Sequence, residues 1–262
     1  MVATGLSGFT IGITAARADD LVGELTERGA DCLHGPTTTG ATSSDAAPSD
    51  TASSGTGTAG SARRCSLPAD TGPARRLVRA IADRKLDVVT FLDPDSVANL
   101  LGIATELHVA DEVLDTLATD VTAACLDEPT AGPLAEQGIE PLVPSAPDVA
   151  SLVALLEGHL ATRWRELGFG GHAVTLRGRL VVVDGAEPVR LTDRERDVLR
   201  VLAERPGVVV SKRALLRRVW GHGETDEHAV EVTVARLRQR LGAAGTGIET
   251  VIRRGYRLDV PA

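Results

Sequence analysis

The 262-residue chain of 27.3 kDa is 43% hydrophobic and 24% charged, a balance that suits two modest buried cores and excludes a wholly disordered chain. No apolar run approaches the roughly 20 residues of a membrane-spanning helix, and the first ten residues lack the basic-then-apolar pattern of a secretion leader. The net charge of −8 is unevenly divided, with 17 basic against 12 acidic residues from His172 onward and 11 against 24 before it. An acidic body with a basic end is the distribution expected of a chain with one nucleic-acid-binding end, or of two solvated domains with unrelated charge. The lack of such a run and of such a leader makes a cytoplasmic protein with no membrane partner the expectation.

Residues 9–14 form an apolar, β-prone run. Leu21, Val22 and Leu25 follow at helical spacing, with Gly29 where a helix C-cap falls, and Cys32 and Leu33 begin a second strand. Residues 37–62 contain only Thr, Ser, Ala, Gly, Pro and Asp. They have no side chain whose burial offsets the entropy of ordering, so a disordered insert is predicted over 37–72. Regular structure resumes with a helix carrying Leu77, Val78 and Ile81 and a strand over 87–92. Helices carrying Val97, Leu100 and Leu101, then Val113, Leu114 and Leu117, lead to a strand over 121–126. A short helix through Leu134 ends at Gly138, a strand is predicted near 139–143, and a last helix holds Val149, Leu152, Val153 and Leu156. Strands alternating with amphipathic helices predict an α/β lobe over 1–160, its parallel sheet covered on both faces, with a linker over 161–172.

Residues 174–191 alternate as short antiparallel strands with a turn at Asp184-Gly185. Thr192-Asp193-Arg194-Glu195 is a capping box opening a helix that buries Val198, Leu199 and Leu202. Ser211 caps a second helix with Leu215, Leu216, Val219 and Trp220, closed by Gly221. A third helix, from about Glu227 to Leu241, buries Val230, Val234, Leu237 and Leu241 and presents Ala229, Thr233, Arg236 and Arg240 on another face. Residues 248–259 read as a hairpin with Arg253-Arg254-Gly255 at its tip. Cys32, Cys65 and Cys125 form no CxxC pair, the six histidines show no metal spacing, and no P-loop, dinucleotide fingerprint or nucleophile–base pair occurs. Neither a cofactor nor a metal is expected.

The stretches 191–195, 206–211, 215–221, 230–241 and 250–257 together resemble the OmpR/PhoB-type winged-helix domain of bacterial transcription regulators, here over 173–262. The resemblance implies an α+β winged helix-turn-helix fold with double-stranded DNA as partner and RNA polymerase as a further one. Thr233 and Arg236 are then candidates for reading base edges in the major groove. Lys212, Trp220, His228, Arg238, Arg240, Arg253, Arg254 and Tyr256 are candidates for phosphate or wing contacts. Two positions depart from the family pattern: Thr233 stands for a frequent His, and Ile252 for a frequent wing Arg.

The commonest partner of such a domain is a phosphoacceptor receiver, which Asp93 after a strand would suggest. A receiver also needs an acidic pair after strand one, where Ala15-Ala16-Arg17 stand, and a late lysine, whereas the chain has only Lys85 and Lys212. The lobe instead resembles the uroporphyrinogen-III synthase family, through residues 6–17, Asp87 to Phe91 with Ser96 and Val97, and Ala123 to Cys125 with Thr130, Ala131, Leu134, Gly138-Ile139 and Pro144. By that resemblance it is one flavodoxin-like lobe of a two-lobed enzyme, with the insert where the second lobe would stand. Leu92-Asp93 stands where the family has a hydroxyl-bearing Thr-Ser pair and Asp127-Glu128 where it has Gly-Pro, and Asp93, Asp95, Asp127 and Glu128 would repel an anionic substrate. Synthase activity is therefore not expected. Thr14, Arg17, Asp93, Asp127 and Thr130 remain as a possible ligand edge for an unidentified small-molecule effector. The expectation is a transcription regulator, possible as a homodimer, with control of nitrate or nitrite assimilation implied by similar fused regulators; the alternative is a tetrapyrrole-synthesis enzyme with a DNA-binding appendage.

Overall fold

In the computed structural model, residues 5–38, 70–163, 165–221 and 226–259 are described. Much of the expected insert, and Cys65, lie outside these ranges. Two compact units are found.

The first to be described is the α/β unit. In chain order come β1 (Thr10–Ile13), α1 (Asp19–Glu27), β2 (Asp31–His34), α2 (Gly72–Ala82), β3 (Val88–Phe91), α3 (Pro94–Glu106), α4 (Ala110–Thr119), β4 (Thr122–Cys125), α5 (Glu128–Ala135) and α6 (Val149–Ala161). The sheet order is β2-β1-β3-β4, with Ile11 opposite Val88 and Val88 opposite Thr122 in parallel register. This is the doubly wound, flavodoxin-like order, in which the first strand is interior. The inner strands β1 and β3 are wholly buried because both faces of a parallel sheet are covered, whereas the edge strand β2 is partly exposed. Val89, Phe91, Ala123 and Cys125 face a core shared with Leu77, Ile81, Leu100, Val113 and Leu134 of α2 to α5. On the other face Ile11, Ile13, Val88 and Ala124 are also buried. Gly12 lies under α2, where an added Cβ would come within 2.8 Å of Leu77.

Two expectations change here. The strand near 139–143 shrinks to a single parallel bridge, Ala124 to Leu142, with Cys125 N–H donating to Leu142 O at 2.8 Å. Pro141 and Pro144 supply no N–H on either side, so a longer ladder cannot form. The insert, for its part, does not begin at Thr37. That residue is fully buried, its N–H donating to Thr14 O at 2.9 Å and its carbonyl accepting from the Asn99 amide at 2.7 Å.

The other unit comprises residues 5–9, Glu27–Asp31 and the chain from Glu157. It opens with an antiparallel sheet in the order β5 (Arg165–Phe169), β6 (His172–Arg177), β7 (Leu180–Val183) and β8 (Val189–Arg190). β5 falls within the stretch expected to be a linker. Its Arg165 and Glu166 are exposed, so hydrophobic alternation gives no sign of it, and backbone pairing to β6 makes it a strand. Three helices follow, α7 (Asp193–Ala203), α8 (Lys212–Trp220) and α9 (Glu227–Leu241), then the hairpin β9 (Ile248–Val251) and β10 (Gly255–Leu258). Val174, Val181, Leu199, Leu215, Val234 and Leu237 share one core with Ile248 and Leu258. This is the winged-helix arrangement of three helices between a sheet and a hairpin.

Candidate nucleic-acid interface

The first two helices of the winged-helix domain, α7 and α8, start where a polar side chain satisfies a free amide, whereas α9 opens at Asp226 without a side-chain cap. The Thr192 hydroxyl accepts from Glu195 N–H, and the Glu195 carboxylate accepts from Thr192 N–H at 2.8 Å, which completes the capping box. Ser211 accepts from Ala214 N–H at 3.1 Å to open α8, and Gly221, at φ +75°, closes it. α9 turns Val230, Val234, Leu237 and Leu241 inward at i, i+4, i+7 and i+11. That stripe fixes the rotation of the helix and so decides which residues face solvent.

Thr233 and Arg236 consequently line one groove of about 470 Å³ along α9, whose other lining includes Arg194 of α7 and Trp220 of α8. The Thr233 hydroxyl donates to Ala229 O at 2.7 Å, which leaves its methyl and an acceptor lone pair for a partner. Arg236 is exposed, and among the described residues no ion pair holds it. The Arg194 guanidinium lies 5.4 Å from the Trp220 ring and donates to Val219 O, so the partly exposed indole is held from one side.

The other candidates divide into groups. His228 is exposed, with Nδ1 3.5 Å from the Glu231 carboxylate, and Lys212 Nζ pairs with the same carboxylate. The hydrogen bond between them raises the Lys212 ammonium above its usual pKa and lowers the Glu231 carboxyl. Arg253 and Arg254 stand exposed at the hairpin tip. Arg238, Arg240 and Tyr256 are used by the fold itself. Arg238 Nε donates to Ile248 O at 2.9 Å, a terminal nitrogen donates to Thr250 Oγ1 at 2.8 Å, and the guanidinium lies 5.8 Å from the Tyr256 ring. Arg240 Nε is 2.9 Å from the Glu195 carboxylate, itself 2% exposed, and NH1 donates to Arg190 O at 3.1 Å. Tyr256 is 5% exposed and belongs to the core. Arg194, Glu195 and Glu231 also belong to this surface, although they are not among the residues the sequence pattern singles out for it. The i, i+3 spacing of His228 and Glu231 was an available signal for the last of them.

At the carboxyl edge of the α/β sheet, four of the five candidate ligand residues are engaged by the fold itself. Asp93 caps α3, accepting from Ser96 N–H at 2.7 Å, and Asp127 caps α5, accepting from Thr130 N–H at 2.9 Å and the Thr130 hydroxyl at 2.6 Å. Thr14 is fully buried and donates to Thr90 O at 2.8 Å. Arg17 is exposed. Burial raises the Asp93 carboxyl above its usual range, and burial with Asp127 and Glu128 nearby pushes the Cys125 thiol up to about 12, which makes it unreactive. Among the described residues no group of three His, Cys, Asp or Glu could hold a metal ion, and no helix is long and apolar enough to cross a membrane.

Residues 186–258 match the family model described as the C-terminal domain of transcriptional regulatory proteins. The C-terminal domain is of the OmpR/PhoB type. Residues 55–154 match the model of uroporphyrinogen-III synthase HemD, so this winged helix follows a synthase-like lobe. Two regulators resemble the winged-helix part. Transcriptional regulatory protein AfsQ1 of Streptomyces coelicolor is 38% identical over 95 residues, 35% of this chain and 42% of that protein. Transcriptional regulatory protein PrrA of Mycobacterium tuberculosis is 41% identical over 101 residues, 37% of this chain and 43% of that one. A protein named a putative uroporphyrinogen-III synthase, from Methanothermobacter thermautotrophicus, is 37% identical over 95 residues, 36% of each chain. The chain thus spans about two fifths of the length of these two regulators.

Proposed function

We propose that the protein is a DNA-binding transcription regulator whose winged helix lays α9 in the major groove. The observation that carries this reading is the open guanidinium of Arg236 beside Thr233, on a helix whose opposite stripe is locked in the core. A guanidinium left unpaired in a groove is suited to the bidentate acceptors of guanine, and the Thr233 methyl to thymine. Lys212, Trp220, His228, Arg253 and Arg254 take the phosphate and wing contacts. Arg238 and Arg240 act as positioning residues, fixing the wing and the start of α7, with Tyr256 beneath the wing. The protein works in the cytoplasm, and dimerisation would supply a second half-site for a reader of this size. Nitrate or nitrite assimilation promoters are the first DNA to test beside the segment upstream of its own gene.

The test is a binding titration across a salt series, comparing wild type with Arg236→Ala. Binding that falls with salt, and that the substitution weakens by about 1–3 kcal/mol on the preferred duplex alone, supports base reading by α9. Equal affinity of the two proteins for every duplex would sink it.

The competing reading, synthase activity, is favoured by the match at 55–154. Against it, Asp93 and Asp127 put carboxylates at the sheet edge where a polyanionic tetrapyrrole would have to bind, and their oxygens are engaged as helix caps. Turnover of a linear tetrapyrrole by the purified chain would establish the enzyme instead.

A further inference from the structure

The wing carries a side chain that base reading by α9 does not use. Ile252 is 82% exposed, whereas the other large exposed hydrophobic among the described residues, Val208, is 52% exposed. It stands in the three-residue tip between β9 and β10, next to Arg253 and Arg254. The tip is a tight turn in which Arg254 N–H donates to Val251 O at 2.9 Å. Arg253 takes φ +60°, a left-handed conformation that ordinarily selects glycine.

The hairpin beneath the tip is stiff. Val210 and Tyr256 exchange two backbone hydrogen bonds of 2.8 and 3.0 Å, and Gly255 fits there because a Cβ would fall 2.0 Å from Val210 O. Arg238 ties β9 to α9 through Ile248 O and Thr250. An isoleucine is thus held out in water on a rigid, strained turn with a guanidinium on each of the next two residues. Strain kept at an exposed tip and apolar area kept in water both cost the fold.

We infer that Ile252 is a minor-groove wedge: it inserts at a base step beside the α9 site while Arg253 and Arg254 grip the flanking phosphates, and the DNA kinks there. The flanking cations match the negative potential of the minor groove and oppose the pairing of two such tips from separate copies. A branched alkyl side chain cannot hydrogen-bond a base edge, so as a wedge it acts by unstacking a base step. That is least costly at pyrimidine–purine steps, which gives the wing a preference by deformability. This inference rests on the DNA-binding reading proposed above.

The test selects duplexes from a pool randomised on both sides of the α9 site, with wild type and Ile252→Ala, and measures bending of the selected duplexes by gel mobility with the site permuted. Wild type is expected to enrich TA or CA steps at one fixed distance and to bend the duplex by about 20–90°. Ile252→Ala should lose the enrichment and most of the bend, with affinity falling about tenfold on the preferred flank and the salt slope unchanged. Arg254→Ala should instead lower that slope by about 0.9. Ile252 is exposed, so the variant's melting temperature should match wild type. Retention of bend and step preference by Ile252→Ala would overturn the wedge, as would an effect confined to self-association in sedimentation. If wild type bound no duplex at all, the regulator reading itself would fail, which is a distinct result.

Discussion

The sheet edge of the α/β unit and the α9 groove of the winged helix use similar residue types in opposite ways. At the sheet edge, Thr14, Asp93, Asp127 and Thr130 spend their polar atoms on the backbone or on one another. In the groove, Arg236 is left open beside Thr233, while its neighbours Arg238 and Arg240 are tied to β9 and to Glu195. A polar side chain satisfied by its own fold adds stability, and one left unsatisfied in a concave surface is available to a partner. Satisfaction of hydrogen bonds, more than residue type, therefore separates the two surfaces.

The largest test of this contrast removes the stripe that sets α9. Leu237→Ala deletes a fully buried side chain and should cost about 2–5 kcal/mol, read by thermal or denaturant unfolding, with specific DNA binding lost as α9 loosens. Unaltered base preference in a variant destabilised that far would break the claim that the stripe aims Arg236. A smaller effect is expected at the sheet edge. Asp127→Ala removes the cap of α5 and orphans the buried Thr130 hydroxyl, for about 1–2 kcal/mol of stability with DNA affinity unchanged. A loss of stability near zero would mean that the carboxylate is not committed to its cap and would reopen this edge as a ligand site.

The smallest effect concerns pH. Burial raises the Asp93 carboxyl in the folded state, so the native form holds its proton at a pH where the unfolded form has released it. Stability from this group is therefore present below the ordinary carboxylate range and lost as pH rises through the raised value. Asp93→Asn keeps a capping oxygen for Ser96 and should flatten that part of the stability–pH curve without changing its acid end. A curve with the same slope in both proteins would show that Asp93 is as well solvated folded as unfolded.

Much of the winged helix was legible in the sequence because its signals are local. The Thr192–Glu195 capping box, the Ser211 cap and the α9 stripe each follow from spacing within a few residues, and each is present as expected. The α/β unit was legible as alternating strands and helices, and its strand order agrees with the flavodoxin-like expectation. What spacing could not show is where partners come from. Thr37 lies in a run with nothing to distinguish it, yet Asn99, 62 residues away, fixes its carbonyl. Leu142 looked like part of a strand, but two prolines confine it to one bridge.

The sequence by itself determined the periodicities, the caps and the basic character of the C-terminal part, because those depend on residues close along the chain. Only the tertiary structure decided which arginines remain open. Arg236, Arg238 and Arg240 lie within five positions on one helix, and spacing sets their faces without showing which of them finds a partner inside the fold. The rotation imposed by burying Val230, Val234, Leu237 and Leu241 leaves Arg236 open in the groove, ties Arg238 to the hairpin, and pairs Arg240, which also lines the groove, with the Glu195 carboxylate. Packing against distant residues made that choice, because a long-range hydrogen bond forms only once the core has fixed the helix.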